Sequence, residues 1–96
     1  MSRYVLSPRA RADLEDIWNY TVSRWSEEQA ERYLGKLQQA FDILEANPRR
    51  APPCDDIRSG YRRYSVENHV VFFRIVDGVI DVVRVLHQSM DFDRNL

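Results

Sequence analysis

Cysteine, lysine and glycine are all scarce in this chain. The one cysteine, Cys54, excludes an internal disulfide and a Cys-rich metal site, fits a reducing compartment, and reads as incidental. The one lysine, Lys36, leaves the cationic work to arginine, a side chain suited to bidentate contacts and stacking and poorly suited to proton transfer. The three glycines, Gly35, Gly60 and Gly78, stand apart from one another, so no glycine-rich loop is available to cradle a phosphate. No apolar run reaches the roughly 18 residues of a membrane span, and "MSRYVLSPRA" lacks the long apolar stretch of a signal peptide. A cytoplasmic protein with no membrane association is expected. An excess of one charge is missing too: 14 basic and 15 acidic side chains give a net charge of -1, divided 6 to 8 over residues 1–47 and 8 to 7 over residues 48–96. Nucleic-acid-binding domains of this size are usually clearly basic, so direct sequence-specific nucleic-acid binding is not expected.

What is present is an ordinary globular composition, 44% apolar and 30% charged, in 96 residues. A chain this short buries about 60 to 65% of its unfolded surface, so residues 1–96 are expected to form a single domain with a small core. "YVL" at 4–6 reads as a short strand, and Ser7-Pro8 directly after it as an N-cap with proline at the first helical position. Ala10, Leu14, Ile17, Trp18, Thr21 and Trp25 then recur at helical spacing. Ser26 and Gln29 match a capping box, and Trp25 with Ala30 matches a hydrophobic staple, so a second helix follows after a tight turn. Its apolar face carries Ala30, Tyr33, Leu34, Leu37, Phe41 and Leu44, and Asn47-Pro48 is a stop. The proline-bearing stretch at 48–60 is a connecting loop. "YRRYS", "HVVFFRIV" and "VIDVVRVLH" are strand-like, the last two joined by the Asp77-Gly78 hairpin signal.

The expected fold class is therefore α+β in the order β-α-α-β-β-β, an N-terminal strand and a helical hairpin packed on a small antiparallel sheet. A two-residue turn at Asp77-Gly78 sets Val76 opposite Val79, Ile75 opposite Ile80 and Arg74 opposite Asp81, which predicts an ion pair. Strict alternation then puts Val71, Phe73 and Ile75 beside Ile80, Val82, Arg84 and Leu86 against the helices. Val70, Phe72 and Arg74 fall on the other face with Asp81, Val83, Val85 and His87. That second face is also partly apolar, and a partner protein is the expected cover.

Arg62, Arg63, Arg74, Arg84 and His87 all fall in the sheet half, where several could converge on a phosphate. A metal-independent ribonuclease needs a base, an acid and cations for the phosphorane. His87 could serve as one of the pair, but the only lysine is on a helix and no tyrosine follows Tyr64, so the second member is missing. The simpler reading makes Arg74 and Arg84 strand arginines paired with carboxylates and His87 a strand-end residue. His69 and His87 have no carboxylates spaced about them as ligands, so no metal site and no cofactor are expected. Glu27, Glu28 and Glu31 compensate a helix dipole. Trp18 and Trp25, seven apart on one face, read as core or groove-lining.

"LSPRARADLEDIWNYT", "GYRRYSVENHVVFFRI" and "IDVVRVLHQSMD", in this order around a proline-rich loop, resemble the ParE group of toxins within the ParE/RelE superfamily of type II toxin–antitoxin systems. The resemblance covers nearly the whole chain. It implies a toxin that inhibits DNA gyrase on cleaved DNA, blocks replication, and is neutralised by a ParD-like antitoxin that wraps it. RelE-type relatives instead cut mRNA on the ribosome with Lys, Arg and a C-terminal Tyr or His-Tyr pair; here the matching positions hold His87-Gln88 and the lysines are absent. The expected activity is thus non-enzymatic, with no catalytic residues. Arg58, Arg62, Arg63, Arg84, His87, Gln88 and Met90, with the tail to Leu96, form the expected target-binding surface. Leu14, Trp18, Tyr33 and Leu37 are expected to line a groove for an amphipathic antitoxin helix, with a strand added at a sheet edge. The alternatives are a ribosome-dependent mRNA endoribonuclease and a degenerate toxin that only docks its antitoxin.

Overall fold

The computed structural model describes residues 4–96. β1 (Tyr4–Leu6) leads into α1 (Pro8–Arg24) and α2 (Glu27–Ala46); a 3-10 turn at Pro48–Arg50 and a loop follow, then β2 (Arg62–Val66), β3 (His69–Val76), β4 (Val79–His87) and a last turn of helix, α3 (Phe92–Asn95). The order β-α-α-β-β-β is as expected, and the strands form one sheet in the order β1-β4-β3-β2. β2, β3 and β4 are the expected antiparallel meander, while β1 lies parallel to β4, so the sheet is mixed.

Ser7 makes the strand-to-helix transition. Its Oγ accepts the Ala10 amide at 3.0 Å, capping α1, and donates to the Val83 carbonyl at 2.8 Å; its amide donates to Val82. One residue thus caps the helix and ties its first turn to β4. Ser26 caps α2 by accepting the Gln29 amide, whereas the Gln29 side chain is turned to Arg32, so only half of the capping box forms. Between β3 and β4, Asp77 and Gly78 both adopt positive φ (52° and 75°), the backbone of a two-residue turn that matches strand twist. The register follows as expected, and Arg74 Nε donates to Asp81 Oδ2 at 3.0 Å.

Strict alternation fails further along β4. Phe73 pairs with Val82 but Phe72 pairs with Arg84, so Val83 is an extra, bulged residue. One inserted residue exchanges the two faces of everything beyond it. Val85, expected on the outer face, joins Val71, Phe73, Ile80 and Val82 against Ala10, Ile17, Leu37, Phe41 and Leu44 of the helices. Leu86 and Arg84, expected against the helices, go to the other face, and His87 comes to the helix side.

That other face is covered, though by the chain itself. Val70, Phe72 and Leu86 pack with Cys54 and Leu96, flanked by Ile57, Tyr61 and Phe92. The Phe92 ring meets Phe72 edge-on at 5.0 Å. The expected partner protein is not needed there, because the proline-bearing loop and the tail supply the apolar lid. Cys54, read as incidental, is a core residue of this lid, and burial pushes its thiol pKa up and leaves it inert.

Candidate binding cleft at the tip of the helical hairpin

Beyond Leu6, β1 ends and α1 crosses the exposed edge of β4. Asp13 occupies that edge. Its carboxylate accepts both Arg84 Nε and Nη2 at 2.8 Å and the Val85 amide at 2.9 Å. Arg84 Nη1 also donates to the Asn95 carbonyl at 2.6 Å, and both side chains are only 11% exposed. The Asp13 hydrogen bonds push the Arg84 pKa up, so the guanidinium is permanently charged. A bidentate pair this enclosed ties α1, β4 and the tail together. Arg84 is therefore a structural strut. Its expected place on a target-binding surface is corrected, and the simpler reading, a strand arginine paired with a carboxylate, holds.

Past this strut, the bulge brings His87 to the helix side, directly opposite His69 on β3. Their rings meet edge-on with centroids 5.2 Å apart. Tyr33 Oη accepts the Asn68 amide at 3.1 Å and lies 2.6 Å from His69 Nδ1, so the phenol proton points to that nitrogen. With the phenol donating to Nδ1, the neutral His69 imidazole carries its own proton on Nε2. Burial, with help from His87 and against a small opposing pull from Asp13, lowers its pKa to about 4. Burial likewise pushes the Tyr33 pKa up and keeps its hydroxyl a donor. The Ser89 amide donates to His87 Nδ1 at 3.1 Å, with Ser89 Oγ at 2.7 Å, so neutral His87 also carries its proton on Nε2. Sequence reasoning weighed His69 and His87 together only as metal ligands and put them on opposite faces of the sheet; the bulged register makes them direct neighbours on one face.

Between these histidines and the turn of the helical hairpin lies a cleft of about 620 Å³, lined by Asp16, Ile17, Tyr20 and Trp25 of α1 and its C-cap and by Tyr33, His87 and Met90. Trp25 is 72% exposed and Tyr20 60%. Of the two readings of Trp25, core or groove-lining, the second holds: as the C-cap of α1 it sits where the chain leaves the helix, and its ring lines the cleft. Nothing in the periodicity marked Tyr20 or Asp16.

The expected site residues divide into separate groups. His87, Met90, Tyr33 and the buried Arg84 belong to the cleft. Arg58, Arg62 and Arg63 do not; Arg58 donates to the Leu96 carbonyl and lies over Tyr61, Arg62 donates to the Ala51 carbonyl, and Arg63 is exposed on β2. Gln88 is exposed and its amide closes on Asn68. Leu14 and Trp18 are half-buried on α1. Leu37 is fully buried in the main core, which removes it from any surface groove. Among the described residues no three His, Cys, Asp or Glu side chains are grouped to hold a metal ion, and no helix is long and apolar enough to cross a membrane.

Residues 4–92 match the family model described as the ParE toxin of the type II toxin–antitoxin system parDE. The chain belongs to the ParE toxin family. It is 57% identical to Toxin ParE1 of Mycobacterium tuberculosis (strain CDC 1551 / Oshkosh), covering 99% of this chain and 98% of that one. Toxin ParE1 of Caulobacter vibrioides is 46% identical over 95% of this chain and 94% of its own, and Toxin ParE of Escherichia coli 33% identical over 95% and 89%. The fold is shared with a chain of the chromosomal ParDE system of P. aeruginosa, at a TM-score of 0.79 and 19% identity, covering 91% of this chain and 96% of that one. Membership of this family carries the α+β fold and the toxin class together.

Proposed function

We propose that this ParE toxin acts by binding DNA gyrase, trapping it on cleaved DNA and so blocking replication in the cytoplasm, and that a ParD-like antitoxin neutralises it. The observation that carries a binding mode of action is the fate of the arginines. Arg84, Arg74, Arg62 and Arg58 are bonded to Asp13, Asp81, Ala51 and Leu96 of the chain itself, and none converges with another on a common point beside His87. A phosphorane needs cations around it, and the only arginine lining the cleft among the described residues is already neutralised. The exposed residues left for gyrase are Arg58, Arg63, His87, Gln88 and Met90, with Arg62 half-buried beside them.

The pairing of His69 and His87 favours one second reading, a ribosome-dependent endoribonuclease, because it supplies the acid or base that the sequence seemed to lack. Gyrase supercoiling with relaxed plasmid and ATP separates the two. Inhibited supercoiling with trapped cleaved plasmid is expected; unaffected gyrase with cut mRNA in a translating extract would replace the first reading by the second. His87→Ala sharpens the division, since a contact residue contributes about 1 to 3 kcal/mol of affinity while loss of a general acid or base lowers a cleavage rate ~100-fold or more.

A further inference from the structure

The cleft at the hairpin tip has a wall whose charges do not cancel. Its one arginine among the described residues, Arg84, is spent on both oxygens of Asp13 and on the Asn95 carbonyl. His69 is held neutral by burial and by its neighbour His87. Asp16 remains, a carboxylate on the cleft lining with no ionic partner among the described residues. Arg24 stacks on Tyr20 at 5.8 Å but is outside the lining. The rest of the wall is aromatic and aliphatic, with Trp25 and Tyr20 left exposed.

From this complementarity we infer that the cleft receives a segment of the antitoxin that inserts an aromatic or long aliphatic side chain beside Trp25 and Tyr20 and sets a lysine or arginine against Asp16. The inference rests on the toxin–antitoxin reading above and names the chemistry of the partner that reading requires. At about 620 Å³ the cleft falls within the ~300 to 1,000 Å³ of pockets that enclose a ligand of several side-chain equivalents. Tyr20 stands one helical turn beyond Asp16 on α1, so a cation paired with Asp16 also comes near an exposed aromatic ring, which adds attraction as the site loses water. His87, with Nδ1 occupied by the Ser89 amide, turns an Nε2 donor outward, suited to a backbone carbonyl of the same segment. Among the described residues a phosphate finds no uncommitted arginine or lysine on this lining. The antitoxin's anchor is thereby moved from Leu37, which is buried, to the tip of the hairpin.

The test is titration calorimetry of the full-length chain with the purified antitoxin encoded beside it. Trp25→Ala should weaken binding by about 30-fold or more and Asp16→Lys by about 10-fold or more. Asp56→Lys, the same charge change on the loop outside the cleft, should stay within about twofold. Thermal melts of each variant, with Asp16→Asn as a milder form, show that the fold is kept. Wild-type binding with all variants within about twofold of it, or an equal loss in Asp56→Lys, would overturn the inference alone. If the wild-type chain binds no antitoxin, the toxin–antitoxin reading falls with it.

Discussion

Two regions of this small toxin read alike in the sequence and end differently in the structure. The outer face of the sheet and the tip of the helical hairpin each present apolar side chains that the strands and helices do not cover between them. On the outer face, Phe72, Val70 and Leu86 meet Cys54, Phe92 and Leu96 from the loop and the tail, and all but Phe92 are nine-tenths or more buried. At the tip, Tyr20 and Trp25 stay open, 60% and 72% exposed. The difference teaches that an exposed-looking apolar strand face is evidence for a partner only after the chain's own termini have been placed. A short loop and a nine-residue tail, with Cys54, Ile57 and Tyr61 from one and Phe92 and Leu96 from the other, are enough to close one face.

Breaking the closed side should cost stability, and breaking the open side should cost binding. The largest stability loss is expected from Arg84→Ala, which leaves Asp13 buried beside the Val85 amide without its cation; about 3 to 5 kcal/mol, read by urea unfolding, is the expected loss. A loss below about 1 kcal/mol would mean that the strut is a solvated pair. Phe92→Ala removes the half-buried ring that lies on Phe72 and should destabilise by about 2 kcal/mol, less than a fully buried Phe truncation, while raising dye binding at the uncovered face.

Acidification gives a third, smaller effect. His69 has a folded-state pKa of about 4 against 6.5 unfolded, so between those values the unfolded chain binds more protons. Its contribution to stability is therefore complete above about pH 6.5 and is lost as pH falls towards 4. Discounted for partial exposure the loss is about 1 to 2 kcal/mol, and His69→Gln should flatten the slope of stability against pH in that window. Smallest of all is Trp25→Ala, whose exposed ring should change stability by less than about 0.5 kcal/mol while weakening the antitoxin complex. A large stability loss there would erase the distinction between the closed and open sides.

The sequence carried the fold to this degree because its local signals were strong. Ser7-Pro8, Ser26 and Asp77-Gly78 each specify one backbone geometry, and each is found. The bulge at Val83 was not legible, since "VIDVVRVLH" is apolar on both faces and offers no register marker where the extra residue sits. The parallel pairing of β1 was hidden for a related reason: three residues have no alternation to show which neighbour they take. Missing the bulge misplaced Arg84, Leu86 and His87 together and concealed the meeting of His87 with His69. Periodicity likewise gave Leu37 its face on α2 but not its depth, which depends on sheet residues that pack over it. His87 and Met90 were placed in a functional surface by resemblance, and the structure brings both to the cleft; Arg58, Arg62 and Arg63 lie apart from it.

Hydrogen–deuterium exchange of the chain, free and with its antitoxin, tests the contrast between the sealed face and the open cleft most directly. New protection is expected at the hairpin turn around Trp25 to Gln29 and at His87 to Met90, with exchange at Cys54 to Tyr61 and in the Phe92 to Leu96 tail unchanged. Protection of the loop and the tail, with the hairpin turn exchanging as in the free chain, would contradict the account and make the sealed face the one that opens for its partner.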